Sequence, residues 1–449
     1  LVFPQFFLRS FAYAGIATTV LAVVGAIVVL PALLALLGTR VNRYRVLRSA
    51  IDPSDDGFWF RLSHTVMRRP WPFLVGSVAF LALLGLPFLS ASFGQTDDRV
   101  LPASASSARA SDQVRELFDS RETTALQVVA PAAQVDSAAL SAYAAALSQV
   151  DGVRRVDTAT GSFSGGRVAL AASPASARFS PETGGTWLTV VTDVETFSPE
   201  GQQVTADVRS VASPLPGTVV GGPSAEFADS QHALSSRLPW ALGIIALATF
   251  VLLFLFTGSV VLPVKALVLS LLSLSATFGA MVWIFQEGHL SGLLGDFQVT
   301  GSIDTAMPIL MFCIAFGLSM DYEVFLLSRI KEEYDLTGDN TRAVAVGLQR
   351  TGKLVTAAAA LLALVFLAFA TSQVTIIKML GVGVALAVII DATVVRGLLM
   401  PAFMRLLGDR NWWAPAPLRR LHDRVGLREL ALPDEPVDRP AGATPAAVR

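Results

Sequence analysis

Seven apolar stretches punctuate this sequence, over 10–37, 72–91, 239–257, 263–285, 305–328, 354–372 and 376–404. As helices, each is long enough to cross about 30 Å of hydrocarbon. The polar segments between them differ in charge. Residues 38–71 carry Arg40, Arg43, Arg45, Arg48, Arg61, Arg68 and Arg69, and 329–353 carry Arg329, Lys331, Arg342, Arg350 and Lys353. Segments 286–303 and 371–377 contain neither Lys nor Arg. Short loops rich in Lys and Arg stay on the cytoplasmic side. The alternation runs through all seven spans, with the C-terminus inside and residues 93–237 outside.

The outside segment has a different rhythm. Ser111 to Asp119 reads as a helix, and 124–130 (TALQVVA) as a strand. Asp136 to Val150 is an Ala-rich helix opened by Asp and Ser, good N-capping chemistry. Residues 153–158 and 186–194 are β-branched strand candidates. A helix over 199–211 starts at Ser198-Pro199-Glu200, a cap followed by proline in the first turn. Residues 217–222 form a short strand, and 223–237 a helix entering the membrane at Pro239. The order helix, βαβ, βαβ predicts a ferredoxin-like α/β domain of the split βαβ type. The Ser/Gly/Ala-rich stretch 159–185 is a loop or a hairpin.

Composition agrees with a polytopic α-helical membrane protein. The chain is 53% hydrophobic with 15% charged residues, where a soluble protein carries about a quarter. A net charge of −1 leaves no electrostatic footprint for nucleic acid. The one cysteine, Cys313, rules out an internal disulfide and a multi-cysteine metal site. His64, His232, His289 and His422 form no ligand spacing, so no metal and no cofactor is expected. Phe11 to Leu37 is too long for the apolar core of a signal peptide and lacks a small-x-small cleavage site. It reads as a span of a chain with an upstream portion.

Chemistry concentrates in FCIAFGLSMDYEVFLLSRIKEE, residues 312–333, where Asp321 and Tyr322 stand inside an apolar helix. Charge in hydrocarbon costs at least about 2.5 kcal/mol, which makes an acid there a candidate for function. Gly317 lies four residues before Asp321 and Ser319 three before Tyr322. Small residues there would let a neighbouring helix approach and donate hydrogen bonds. A carboxylate sheltered among apolar groups takes up a proton more readily, and a tyrosine hydroxyl can donate to it or relay the proton. The bland alternative is an acid near enough to the cytoplasm to escape. Glu323, Arg329, Lys331, Glu332 and Glu333 read as a solvated helix end.

Asp391 is a second acid within a span. Arg396 follows five residues on rather than four, so the two share an α-helical face poorly. Asp391 supports proton transfer or pairs with another helix. Residues 347–353 (GLQRTGK) have the spacing of a phosphate-binding loop. Leu354 stands where Ser or Thr should bind magnesium, however, and no strand precedes it, so the segment reads as a basic cytoplasmic loop. An intramembrane aspartyl protease would need two carboxylates sharing a proton. Here the order is Asp-Tyr, neither acid follows Gly-x-Gly, and Pro-Ala-Leu (31–33) precedes both.

Residues 31–38 (PALLALLG) recur as 401–408 (PAFMRLLG), with Arg9 and Lys378 upstream of the two prolines. Such repeats are common in transporters. The echo divides the chain into the last span of a preceding repeat (1–38), a basic cytoplasmic linker (39–71) and a span (72–92). An outside domain (93–237), a five-helix bundle (238–408) and a cytoplasmic, largely disordered tail (409–449) follow. Asp391 corresponds to Leu21 in the first copy, so the second acid is not a symmetric feature.

The runs GLSMDYEVFLLSRIKEEY (317–334) and MLGVGVALAVIIDATVVRGLLMPAFMRLLG (379–408), with Asn411-Trp412-Trp413, closely resemble MMPL-type members of the resistance-nodulation-division (RND) transporters. So do FLRSFAYAG and LPALLALLG near the start. The resemblance implies twelve spans in two repeats, each with an outside porter domain. It maps the family's proton-translocating Asp-Tyr pair of the tenth span onto Asp321 and Tyr322, with Gly317, Ser319 and Asp391 in support. The companion pair belongs to a fourth span that this chain lacks. Family members export lipids, glycolipids, siderophores or drugs from the actinobacterial inner membrane. The expected function is proton-motive-force-driven export of a lipid or other hydrophobic molecule across the plasma membrane, without enzymatic chemistry. Its partners would be a lipid-like substrate, protons, the membrane and the missing N-terminal repeat, with a homo-oligomer left open. The rival, of another class, is a non-transporting scaffold or lipid sensor on the same fold.

Overall fold

The computed structural model describes residues 2–38, 40–41, 57–95, 97–118, 122–131, 136–181, 184–295 and 297–425. Arg43, Arg45 and Arg48 of the linker, and the tail beyond 425, lie outside the described residues. In chain order, α1 (Phe6–Leu37) is followed by α2 (Phe58–Arg68), α3 (Pro70–Ser90) and α4 (Ser106–Leu117). The outer domain continues with β1 (Leu126–Ala130), α5 (Ser137–Leu147), β2 (Val153–Thr158), β3 (Gly161–Ser164), β4 (Arg167–Ala171), β5 (Thr186–Thr192), α6 (Pro199–Ser210) and β6 (Val219–Gly221). Then come α7 (Pro223–Thr257), α8 (Val261–Gln286), α9 (Ala306–Thr337), α10 (Asn340–Thr371), α11 (Thr375–Trp412) and α12 (Ala416–Val425). Among the described residues seven helices, α1, α3 and α7 to α11, are long and apolar enough to cross a membrane. They coincide with the seven apolar stretches of the sequence.

The outer domain is one sheet in the order β4-β3-β2-β5-β1-β6, with every neighbour antiparallel. Alternation buries Leu126, Val128, Ala130, Leu188 and Val190 on one face, against Leu140 and Leu147 of α5 and Val204 and Val208 of α6. The helices begin where the caps are: Asp136 accepts from the amides of Ala138 and Ala139 at 3.1 and 3.4 Å, and Ser198 Oγ accepts from Gly201 N at 3.1 Å. Stretch 159–185 resolves as the hairpin β3–β4 and a 3-10 turn over Pro174–Phe179. Its two-residue loop is Gly165-Gly166, at φ 54° and 78°, a left-handed pair that glycine adopts without a steric penalty.

Two connections couple this domain to the membrane. Helix α7 runs unbroken for 35 residues through Pro239, about 52 Å at helical rise. A short parallel pairing joins Phe93–Gly94, just after α3, to Ile303–Asp304, just before α9.

At the bundle end away from the sheet domain the structure corrects the sequence reading. The linker expected over 39–71 contains the amphipathic helix α2, whose Ser63, Val66 and Met67 are buried. It packs on α10, where Gln349 Oε1 accepts from the free first-turn amide of Phe60 at 3.0 Å. The basic loop expected over 329–353 is two helix ends. Helix α9 continues to Thr337, Gly338 terminates it at φ 66°, and Asp339 caps α10 by accepting from Thr341 N and Arg342 N. Residues 347–353 are therefore helical. Their amides are spent on the helix ladder rather than turned toward a phosphate, while Gly347 lies against Ile330 and Gly352 against Trp59. Glu323 and Glu333 are not a solvated end, since each is 5% exposed. Glu333 pairs with Arg342 and Arg350 at 3.3 and 3.6 Å.

The echo between 31–38 and 401–408 is structural as well. Each segment follows a π-helical stretch, over Gly25–Val29 and Asp391–Leu399. Each ends on glycine with the same backbone, φ 52° and ψ −137° at Gly38 and φ 52° and ψ −131° at Gly408.

Asn411 clasps the helix ends away from the sheet domain. Fully buried, it donates to Met404 O and Gly408 O at 2.8 and 2.6 Å, and its carbonyl accepts from Ser259 Oγ at 2.5 Å. Asn340 Nδ2 donates to the same Met404 carbonyl at 2.9 Å, and Trp412 Nε1 donates to Asn340 Oδ1 at 3.2 Å. Replacing Asn411 with Ala removes the side-chain donor of Gly408 O and leaves Met404 O with Asn340. The expected loss is about 1–3 kcal/mol, measured as a lowered thermal midpoint in detergent; an unchanged midpoint contradicts the clasp.

Candidate functional site

Helix α9 carries the intramembrane acid and tyrosine at its middle. Asp321 lies fifteen residues, about 22 Å, from the start of the helix at Ala306. At 3.6 residues per turn, Ser319, Tyr322 and Glu323 fall on one side of the helix, and Asp321 falls on the other with Gly317.

The inner side is occupied by charge. Asp391 and Arg396 of α11 are 6% and 2% exposed and pair at 2.7 Å between Oδ2 and Nη2. Ser319 Oγ donates to Asp391 Oδ1 at 2.8 Å, and Arg396 Nη2 donates to the carbonyl of Ser319 at 2.6 Å. The Arg396 guanidinium stands 4.9 Å over the ring of Tyr322. A second buried pair, Lys265 of α8 and Glu323 of α9, lies at 3.6 Å.

The five-residue spacing from Asp391 to Arg396 works because Asp391–Leu399 is π-helical. In a π-helix the hydrogen bonds run from i to i+5, so residues five apart stack on one face. The α-helical phase read from the sequence keeps the two apart, and the structure corrects it. The partners of Asp391 are Arg396 within its own helix and Ser319 on the neighbouring one.

The expectations for Gly317 and Ser319 also change. Ser319 binds Asp391 rather than the Asp321 side of the helix. A side chain built at Gly317 would meet nothing within 4 Å, so no described helix approaches there. Cys313, Gly317 and Asp321 form an exposed line at intervals of four residues. Asp321 has no hydrogen bond or ion pair among the described residues, while Tyr322 is half-buried beneath Arg396. The two acids of the protease reading are not brought together.

Sequence reasoning missed Lys265 and misplaced Glu323. Both signals were present: Lys265 is the sole Lys or Arg within 263–285, and Glu323 lies four residues after Ser319, on the same side of the helix. A lone cation inside a span demands an anion. Lys378, 2% exposed, satisfies its charge otherwise, by donating to the carbonyls of Leu294 and Gly295 at 2.7 and 2.5 Å in the outer loop. Among the described residues no group of three or more His, Cys, Asp or Glu could hold a metal.

The sequence profile of the MMPL family matches residues 99–431, which includes the whole constellation of α8, α9 and α11. The chain belongs to the MMPL family. Among curated MMPL relatives it is 39% identical over 454 residues to a putative membrane protein of Streptomyces coelicolor, covering all of this chain and 58% of the relative. It is 34% identical over 468 residues to the trehalose monomycolate exporter MmpL3 of Mycobacterium tuberculosis, across 97% of this chain and 48% of the relative. It is 29% identical over 432 residues to the mycolic acid-containing lipids exporter MmpL11 of Mycolicibacterium smegmatis, across 94% and 44%. The chain thus spans about half the length of the curated MMPL relatives it matches.

The two sides of α9 should respond differently to mutation. Arg396→Met leaves Asp391 buried without its cation, a loss of about 3–5 kcal/mol. Asp321→Asn alters an exposed, unpaired group and should stay within about 0.5 kcal/mol of the parent. Thermal unfolding of the purified variants compares them; equal losses would contradict the assignment of faces.

Proposed function

We propose that this chain forms the C-terminal repeat, with the last span of the first, of a proton-motive-force-driven exporter of a lipid or other hydrophobic molecule across the plasma membrane. Asp321 takes up and releases the proton, and Tyr322 orients or relays it. Ser319 and Asp391 support it from the inner face, and Gly317 leaves room beside it for another helix.

The observation that carries this reading is the division of α9. Its inner side holds two buried ion pairs that balance each other, Asp391 with Arg396 and Glu323 with Lys265. Asp321, at the same depth, has no cation partner among the described residues. A charge placed in hydrocarbon without a partner is costly, and protonation is the simplest way to neutralise it. Asp391 is held by Arg396 and Ser319, whereas Asp321 is free to change partners, which favours Asp321 over Asp391 as the carrier.

The reading also accounts for two exposed surfaces. Leu21, Ile27 and Leu36 of α1 are 71%, 69% and 81% exposed, and the Cys313–Gly317–Asp321 line is open. An N-terminal repeat packed there would cover both and would enclose Asp321 in a dry interface, as expected for transporter repeats. Two MMPL relatives bear the names of lipid exporters, which supports a lipid as cargo. The antiparallel sheet with its two helices supports a ferredoxin-like porter domain through which that cargo leaves. The long α7 would carry helix movement outward to it.

The test is Asp321→Asn in the full-length protein, expressed in a strain deleted for the gene, with envelope lipids profiled by mass spectrometry. The expected outcome is a profile like that of the deletion strain at unchanged protein level. Export that persists and still collapses with an uncoupler refutes the role of Asp321.

A further inference from the structure

The Lys265–Glu323 pair is poorly made for a static tether. Both side chains are 5% exposed, yet Nζ and Oε1 stand 3.6 Å apart, and neither has a hydrogen-bond partner among the described residues. A buried ion pair repays its desolvation only with good geometry and further hydrogen bonds, and a charge-assisted contact normally closes to about 2.8 Å. The neighbouring Asp391–Arg396 pair is closed, at 2.7 Å with Ser319 bonded to each partner, while Arg396 Nε and Nη1 have no hydrogen-bond partner among the described residues. Two pairs against one helix, one closed and one slack, point to different roles.

Position matters as much as distance. Glu323 follows Tyr322 directly and is two residues from Asp321, so a rotation or slide of α9 that closes this contact must move both. Lys265 sits one turn into α8, beside Leu262, Ala266, Leu326 and Leu327 in the buried cytoplasmic core. Those neighbours are apolar and give Glu323 no hydrogen bond. Closing the gap needs a shift of about 0.8 Å to reach an ordinary charged hydrogen bond, within the 1–2 Å helix shifts typical of switching proteins.

We propose that Lys265 and Glu323 are a positioning pair with two settings, slack here and closed in the alternate access state, which sets the rotation of α9 and so where Asp321 and Tyr322 face. The proposal rests on the transport reading given above. It adds that charge at 265 and 323 serves the cycle rather than the fold.

A double replacement separates those roles. Single changes, Lys265→Met or Glu323→Gln, leave a buried charge unpaired and lower the thermal midpoint. Lys265→Met together with Glu323→Met removes both charges and keeps the volume, so a pair that merely holds the fold would be replaced without loss. In the deletion strain carrying the full-length protein, the double variant is expected to recover the parent's thermal midpoint. Restoration of the envelope lipid profile should nonetheless fall about tenfold. A double variant that is stable and restores the profile fully overturns the proposal. Should it fail to accumulate, the reversed pair Lys265→Glu with Glu323→Lys decides: transport well above either single variant supports a working pair, and a folded but inactive protein overturns it. Asp321→Asn runs alongside. If that variant transports normally, the proton-carrier reading fails, and the positioning proposal falls with it; if it is inactive while the double variant is active, only the positioning proposal fails.

Discussion

Asp391 and Arg396 are joined inside an otherwise apolar bundle, and much of the membrane half follows from keeping them joined. Neither charge is tolerable there alone. An α-helical turn would leave them on diverging faces; the nine-residue π segment of α11 stacks them. Arg396 also donates to the Ser319 carbonyl and covers the Tyr322 ring, while Asp391 receives the Ser319 hydroxyl. Three contacts from one ion pair set the face that α9 turns toward α11 in this structure. Helical geometry then leaves Asp321 no choice of direction: it points away from the cluster that orders its neighbours. The acid proposed to work is free because the acid behind it is bound.

Much of this architecture was legible in the sequence, because hydrophobic length and Lys/Arg asymmetry act over whole segments. All seven spans fell where apolar runs placed them, and the strands 153–158 and 186–192 followed β-branched patterning. What escaped was local and tertiary. The π segment changes helical phase without changing hydrophobicity, so Asp391 and Arg396 read as strangers. Helix α2 is eleven residues long and Arg-rich, so its buried face was lost within a basic linker. Glu323 resembled the first of a run of solvated charges, and only the placement of Lys265 on the neighbouring α8 reveals otherwise. Gly317 was expected to let a neighbouring helix approach, and no described helix does so.

The internal echo links these observations. Helix α1 repeats the π stretch, the proline and the left-handed glycine of α11, yet carries no Asp or Arg in its π segment. The shared backbone is therefore not a product of the ion pair. It is a property of the repeated helix that the second copy exploits to bring two charges together. The exposed apolar surface of α1 and the open line on α9 both suit burial against a partner repeat.

The central claim is that Asp321, rather than the paired acids behind it, takes up the proton. Carbodiimides modify protonated carboxyl groups in apolar surroundings, and peptide mass spectrometry of the labelled full-length protein in native membranes locates the adduct. The account predicts label on Asp321, with Asp391 and Glu323 unmodified. Label on Asp391 or Glu323 with Asp321 untouched would contradict it.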